Sequence, residues 1–447
     1  MCVVKMASIA DQLLTFFKSR AFFIFWIIFF IYMANQRIVT HTDPTPTRLL
    51  PISIIREGNF DLNEFNFLYN DTNHLPYYLK NIDGKIVSFY PVFTSLLAVP
   101  IYFIPVLTGI DPQSTTVLLL SKTTAALLIA LSAAFLYLTL RHMANEKTSL
   151  VITAIYAFGT TNWPISSQDL WQHGAGELFI CITLYALAQG GKKPHLIPYA
   201  GFALACAVAI RPSNLLTTLI LTAYVFMKHR KQIRLYLLYA TPPIIAILAY
   251  SQLYLGSVTL LGQMQSPTGG WNTPLFEGLS GLLASPSRGL FVYSPVLILS
   301  LAGIAQSWKK TETKYYAITI AANVLLWSKW IQWYGGNVYG PRLLIETLPF
   351  FCLLLAKPVE TLYSRRTGIL LLAVLIGLSV FINFLGAFEW DASWDSVHHV
   401  EESIRARDYE YLNRLWWSPD AQWAYYAKRF YGSITGISGT ASPTQFS

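Results

Sequence analysis

The sequence predicts an all-α polytopic membrane protein, and three observations carry that prediction. Hydrophobic residues make up 54% of the 447-residue chain and charged residues only 12%, about half the charged share of an ordinary soluble domain. Eleven apolar stretches recur along it, at 21–36, 115–141, 148–163, 174–189, 196–210, 213–228, 235–254, 289–306, 315–331, 342–357 and 367–387. Lysine and arginine gather in the N-terminal stretch and in alternate short loops (Arg141 and Lys147, Lys192 and Lys193, 228–234, 309–314, 357–366), whereas loop 164–173 has none. The positive-inside rule then puts the N-terminus in the cytoplasm, and an odd number of spans puts the C-terminus outside. The net charge of +9 is thus a topology signal, and a nucleic-acid partner is excluded.

A straight span needs about 20 apolar residues, so stretches of about 15 extend into their flanks or end at a water-filled cavity. The organisation predicted is a cytoplasmic lead-in over 1–20, a transmembrane domain over 21–387 that includes an outer loop at 38–114, and a short extracytoplasmic tail over 388–447. Residues 1–20 lack a signal-peptide layout, so the first span stays as an anchor. Cys2, Cys181, Cys206 and Cys352 have no metal-ligand spacing and read as packing residues. The sequon at 70–72 matters only in a host that glycosylates.

The outer loop is where chemistry is expected first. Between 38 and 105 it is too polar to cross a bilayer, yet its Leu, Ile, Phe and Tyr at helical spacing suit juxtamembrane helices. Asp43 stands just beyond the first span. Thr42-Asp43-Pro44 fits a helix N-cap followed by proline at the first helical position, and an acid there equally suits catalysis. Arg48 follows about a turn later, and Arg56-Glu57-Gly58 closes the helix. The polar stretch 59–84 reads as an exposed loop. Lys85 then precedes Ser88-Phe89-Tyr90-Pro91. It reads either as a snorkelling surface lysine or as a phosphate ligand opposite the Asp43 helix. Lys122, about two turns into the second span, lines a cavity or snorkels outward.

Further outer-side clusters follow. Gln168, Asp169, Trp171, Gln172, His173 and Glu177 crowd the mouth of the fourth span, with Asp169 and His173 four apart, on one face of a helix. A capped helix start explains Asp169 and Trp171 but not the polar residues after them. Arg211-Pro212-Ser213-Asn214 is a tight turn with a single arginine. Loop 256–288 is rich in Gly, Ser and Pro, irregular backbone that suits a cavity or water. Between Trp330 and Arg342, Gly335, Gly336 and Gly340 allow close approach, while Trp333, Tyr334 and Asn337 are the aromatic and amide groups that sugars stack on and bond to. An aromatic belt accounts for the Trp and Tyr only. Glu346, one turn beyond Arg342, is its expected partner. Trp390, Trp394, Trp416, Trp417 and Trp423 predict a small packed cap in the tail, with 436–447 disordered.

An acid after the first span, a helix ending in Arg-Glu-Gly, and a lysine before a Tyr-Pro stretch together resemble the polyprenyl-phosphate-dependent glycosyltransferases of the GT-C superfamily. The nearest branch is the lipid A aminoarabinose transferase and protein O-mannosyltransferase group. The resemblance is strongest at 43–58, 167–174, 211–214, 285–295 and 335–342. It implies a GT-C-like bundle of about 11 transmembrane helices among the lipids of a bacterial inner membrane. It also implies a hexosyl or pentosyl donor on a polyprenyl phosphate and a lipid, glycan or protein acceptor at the outer face. Transfer would go with inversion in one displacement.

On this resemblance Asp43 is the general base and Asp169 a second carboxylate that positions acceptor or metal. Lys85, Arg211 and Arg342 hold the departing lipid phosphate, which needs positive charge as the bond breaks. Arg48, Gln172, His173, Trp333 and Asn337 contact sugar or acceptor. Pro44 stands where many relatives have a second acid, so the paired-acid motif is missing. The resemblance assigns no cofactor, and a divalent metal stays open. A lipid-linked sugar flippase would use the same groove without bond breaking, but transporters usually show paired repeats and no such pairing is visible here. A non-catalytic scaffold would leave Asp43 and Asp169 replaceable.

Overall fold

The computed structural model describes residues 20–69, 71, 74–256, 270–397 and 413–435. The lead-in over 1–19, part of the sequon, part of loop 256–288 and the segment 436–447 lie outside the described residues. Helices dominate: α1 (Arg20–Met33), α2 (Thr45–Arg56), α3 (Phe93–Leu107), α4 (Thr115–Leu140), α5 (Glu146–Phe158), α6 (Gln172–Gln189), α7 (Ile197–Ile210), α8 (Asn214–Lys228), α9 (Ile233–Leu255) and α10 (Leu275–Ala284). They continue through α11 (Leu290–Tyr293), α12 (Leu299–Ser307), α13 (Thr311–Ser328), α14 (Leu348–Leu354), α15 (Ala356–Tyr363), α16 (Arg366–Phe388), α17 (Ser393–Val397) and α18 (Gln422–Thr435).

All eleven apolar stretches are largely helical, and two of them are broken. The 289–306 stretch divides into α11, a 3₁₀ turn over Pro295–Ile298 and α12, because Pro295 lacks an N–H and disfavours helical backbone before it. The 342–357 stretch begins as a 3₁₀ helix over Arg342–Thr347. Among the described residues three helices are long and apolar enough to cross a membrane by themselves: α4, Arg230–Leu255 and α16. Length alone therefore carries an integral-membrane bundle but not a count of eleven spans. At the centre, α4 buries Ala125, Ala126, Ala130, Ala133 and Ala134, small side chains that let neighbouring helices approach closely.

The segment between α1 and α4 is a packed layer. A two-stranded antiparallel hairpin, β1 (Leu79–Ile82) and β2 (Lys85–Ser88), turns at Asp83-Gly84 with Ile82 opposite Lys85. Both turn residues have positive φ, 51° and 83°, as a type I′ hairpin turn requires. Leu62 and Phe65 are buried with Leu50, Ile86 and Tyr102 beneath α2 and α3. The expectation of an exposed loop over 59–84 holds for Asn63, Glu64, Asn66, Phe67, Asp83 and Gly84, whereas Leu62, Phe65 and Leu79 are buried and fold this stretch back onto the bundle.

The tail docks through Trp390 and Trp394, both buried, while Trp416 and Trp417 are exposed. Arg288 donates to Asp395 at 2.6 Å with neither side chain accessible to solvent. Gln422 Nε2 donates to Asp395 Oδ2 (3.0 Å) and to the Val338 carbonyl (2.9 Å). Its Oε1 accepts from Tyr293 Oη and from the Gly340 N–H. The tail thereby grips the glycine-rich segment ahead of Arg342.

Candidate active site

A cavity of about 530 Å³ opens between the start of α2, the segment after β2, the mouth of α6, the 211–213 turn and the 336–343 segment. Its walls are aromatic: Tyr77, Phe89, Tyr90, Trp171, Trp271, Trp327, Trp330 and Trp390 all line it. Two charged groupings stand in it, each an acid held by an arginine.

The first is Asp43. Its side chain makes no capping bond to α2, whose N-cap is Pro44, so the capping expectation is corrected. The carboxylate turns into the cavity instead. Arg342 Nη1 donates to Oδ2 at 2.6 Å and the Tyr77 hydroxyl donates to Oδ1 at 2.5 Å. The two ion-pair partners keep 17% and 16% of their side-chain surface. Burial pushes the Asp43 carboxyl up, but the Arg342 charge, with hydrogen bonds from Tyr77, Arg342 and Tyr90, holds it below the ordinary carboxylate value. The guanidinium also lies 5.0 Å above the Trp171 ring.

The second grouping joins Arg211, His173 and Glu346. Arg211 Nη1 donates to Glu346 Oε2 at 2.5 Å and sits 3.1 Å from His173 Nδ1. Glu346 Oε1 is 3.1 Å from the same nitrogen, and the Arg211 guanidinium lies 4.7 Å from the Trp327 ring centre. Glu346 is thus the partner of Arg211 and not of Arg342. The 3₁₀ geometry explains the correction: at about three residues per turn, a residue four further on points about 120° away. Three buried polar atoms on cavity residues have no hydrogen-bond partner among the described residues: Arg342 Nε, Trp171 Nε1 and Asn337 Oδ1.

Asp169 stands behind this wall, 2% exposed. Its Oδ2 accepts from Arg48 Nη1 (2.9 Å), and its Oδ1 from Ser121 Oγ (2.6 Å) and the Leu170 N–H (2.8 Å). Burial alone would raise its carboxyl, yet Arg48 and His41 hold it down at about 2. Asp169 and His173 do not share a helix face, because Trp171 is extended (φ −69°, ψ 148°) and α6 starts only at Gln172. His41, which Asp169 meets at 3.3 Å, stacks on Trp390 and does line the cavity. Asp169 and Arg48 therefore reach the cavity only through neighbours.

Of the sequence-predicted residues, Asp43, Gln172, His173, Arg211, Asn337 and Arg342 line the cavity. Lys85 does not: its Nζ donates to the Leu253 carbonyl at 3.2 Å and lies over Tyr254. Trp333 is buried against Gly281 and donates to Glu277. Lys122 neither snorkels nor lines this cavity. It is buried, and it donates to Asn35 and to the Arg37 carbonyl just past α1. Tyr77 and His41 escaped sequence reasoning, which had no signal beyond residue type, and Tyr90 entered it only within the Tyr-Pro stretch, with no role assigned. Among the described residues no group of three or more His, Cys, Asp or Glu could hold a metal ion. Asp43 and Asp169 are each neutralised by their own arginine, so the residues present do not fit a metal centre.

No protein-family model matches the sequence, and no curated protein matches it with significance. Solved structures do match. ArnT from Cupriavidus metallidurans bound to undecaprenyl phosphate is 11% identical with a TM-score of 0.54, over 95% of this chain and 80% of that one. Its apo form is 10% identical with a TM-score of 0.51, over 97% and 81%. The Archaeoglobus fulgidus oligosaccharyltransferase, tethered through a disulfide bond to an acceptor peptide containing the NVT sequon, is 10% identical with a TM-score of 0.52. That match spans 89% of this chain and 59% of the larger one. Identities this low speak for architecture alone: over 95% of its length the chain shares the fold of ArnT from Cupriavidus metallidurans.

Proposed function

We propose that this protein transfers a sugar from a polyprenyl-phosphate donor to an acceptor hydroxyl on the extracytoplasmic face, with inversion at the anomeric carbon. The observation that carries the reading is one aromatic-walled cavity in which Asp43 and Arg342 meet at 2.6 Å and Arg211 stands at a second charged grouping. Asp43 takes the proton from the acceptor hydroxyl, and that oxygen attacks the anomeric carbon. The bond from that carbon to the donor phosphate breaks, its electron pair leaving with the phosphate oxygen. Arg342 and Arg211 bind the charge that develops there. The Trp and Tyr walls stack on the sugar and exclude water, while Gln172 and Asn337 offer amide partners to its hydroxyls. Asp169, through His41, positions the floor on which Asp43 stands.

The test is glycosyl transfer by the purified protein from a panel of polyprenyl-phosphate sugars, with the lipid-linked donor followed by mass spectrometry. Removing a general base costs about 10²- to 10⁴-fold, so Asp43→Asn is expected to lose transfer on that scale while staying folded. Equal turnover by both proteins would remove Asp43 as base. Donor crossing proteoliposome membranes without consumption would replace the enzyme with a flippase.

A further inference from the structure

The contact between Asp43 and Arg342 joins two groups that the reaction needs apart. A base that must accept a proton has both oxygens already engaged, by Arg342 and by Tyr77. A cation that must meet phosphate is spending its charge on a carboxylate. Building on the donor reading above, we infer that Arg342 keeps Asp43 out of use until the lipid phosphate draws the guanidinium away, so that donor binding releases the base.

Comparison with the arginine–acid pair that anchors the tail supports a switch over a fixed strut. Arg288 and Asp395 are fully enclosed, and Asp395 has further donors in Gln422 and Trp390. Asp43 and Arg342 lie at the cavity wall with about a sixth of each side chain accessible. Arg342 is also incompletely satisfied there, since its buried Nε has no partner among the described residues. A phosphate offers more oxygens and more charge than one carboxylate, and a guanidinium fork suits it.

The glycine side places no side chain against the arm. Gly335 and Gly336 both hold positive φ, 84° and 75°, and a Cβ at Gly335 would come within 3.0 Å of Arg342 Cγ. Two residues without side chains therefore let the arm lie close along that wall, where side chains would crowd it. Once Arg342 has moved, the groups still facing Asp43 are the Tyr77 and Tyr90 hydroxyls. Loss of the adjacent cation returns the carboxylate toward ordinary basicity, which is what proton abstraction needs.

The test is a binding cycle with undecaprenyl phosphate as the probe and undecaprenol as the phosphate-free control. Four purified, detergent-solubilised proteins are compared: wild type, Asp43→Asn, Arg342→Gln and the double variant, each checked for folding by thermal melting. If the carboxylate competes with phosphate for Arg342, Asp43→Asn binds undecaprenyl phosphate about three- to tenfold more tightly than wild type. Arg342→Gln binds about tenfold more weakly or worse, and adding Asp43→Asn to it recovers nothing. Undecaprenol responds to neither change. The same gain in both backgrounds means that Asp43 acts by its field alone, and it overturns the inference. No gain in Asp43→Asn overturns it too, while leaving the donor reading standing. Failure of wild type to bind undecaprenyl phosphate at all brings down both.

Discussion

Asp395→Ala tests what anchors the tail. Asp395 and Arg288 are enclosed at 2.6 Å, and burial is the first influence on the Asp395 carboxyl, raising it despite the neighbouring cation. Taking one partner from such a pair leaves a buried charge uncompensated and costs about 3–5 kcal/mol. Arg288 would keep the Ser287 and Gly336 carbonyls, at 3.1 and 3.4 Å, and the Trp394 ring beside it, and none of these carries a charge to match its own. Gln422, which opens α18, would lose an acceptor as well. The penalty falls on the docked state, so α18 should open locally before the bundle melts. Hydrogen exchange in peptides covering Gln422–Thr435 is expected to accelerate about a hundred- to several-thousandfold. Removing both charges together, as Arg288→Met with Asp395→Leu, should restore most of the protection, because the desolvation penalty leaves with them. An acceleration below about tenfold in a variant with an unchanged global melt would falsify the assignment of this pair as the anchor.

Two further outcomes are expected. Asp169 is held at about 2, below its ordinary 3.8, so its ionised form is stabilised by folding. That stability is fully present above the unfolded value and is lost as pH falls through the folded one. Between about pH 4 and pH 2 the wild type should lose about 2 kcal/mol that Asp169→Asn has already forfeited. Melting midpoints for the two proteins should therefore converge on acidification, and parallel curves would refute it. Gly386→Ala puts a methyl 2.3 Å from Tyr339 and 2.6 Å from Pro164, an overpacking worth about 1–3 kcal/mol. Thermal melting reads that loss, and a neutral result would mean that Tyr339 yields easily.

Much of the fold was legible because apolar runs are a local signal. The stretches 115–141 and 235–254 became α4 and α9 almost residue for residue. The hairpin at 79–88 was not read from the sequence: Asp83-Gly84 between Lys-Asn-Ile and Lys-Ile-Val is a hairpin signal, but the run of Asn and Asp around it reads as loop. Pairing at the site was not legible. The three ion pairs join positions 299, 121 and 135 residues apart, and no periodicity links such distances. Any of these arginines could have met any of the acids on residue type alone. Local rules misled where backbone was irregular: a 3₁₀ turn separated Arg342 from Glu346, and one extended tryptophan separated Asp169 from His173.

Burial decides among the acids where sequence could not. Asp169 accepts from Arg48, from Ser121 and from a backbone N–H, with 2% of its side chain accessible. Protonating it means breaking a charge-assisted bond inside the protein with no water to replace it. Glu346 is held by Arg211 and His173 with 5% accessible. Asp43 has 16% accessible, stands on the cavity itself, and loses its strongest partner as soon as one flexible side chain swings away. Of the three carboxylates each facing an arginine, it is the most accessible and the one that itself lines the cavity, which is what the general-base role proposed above requires.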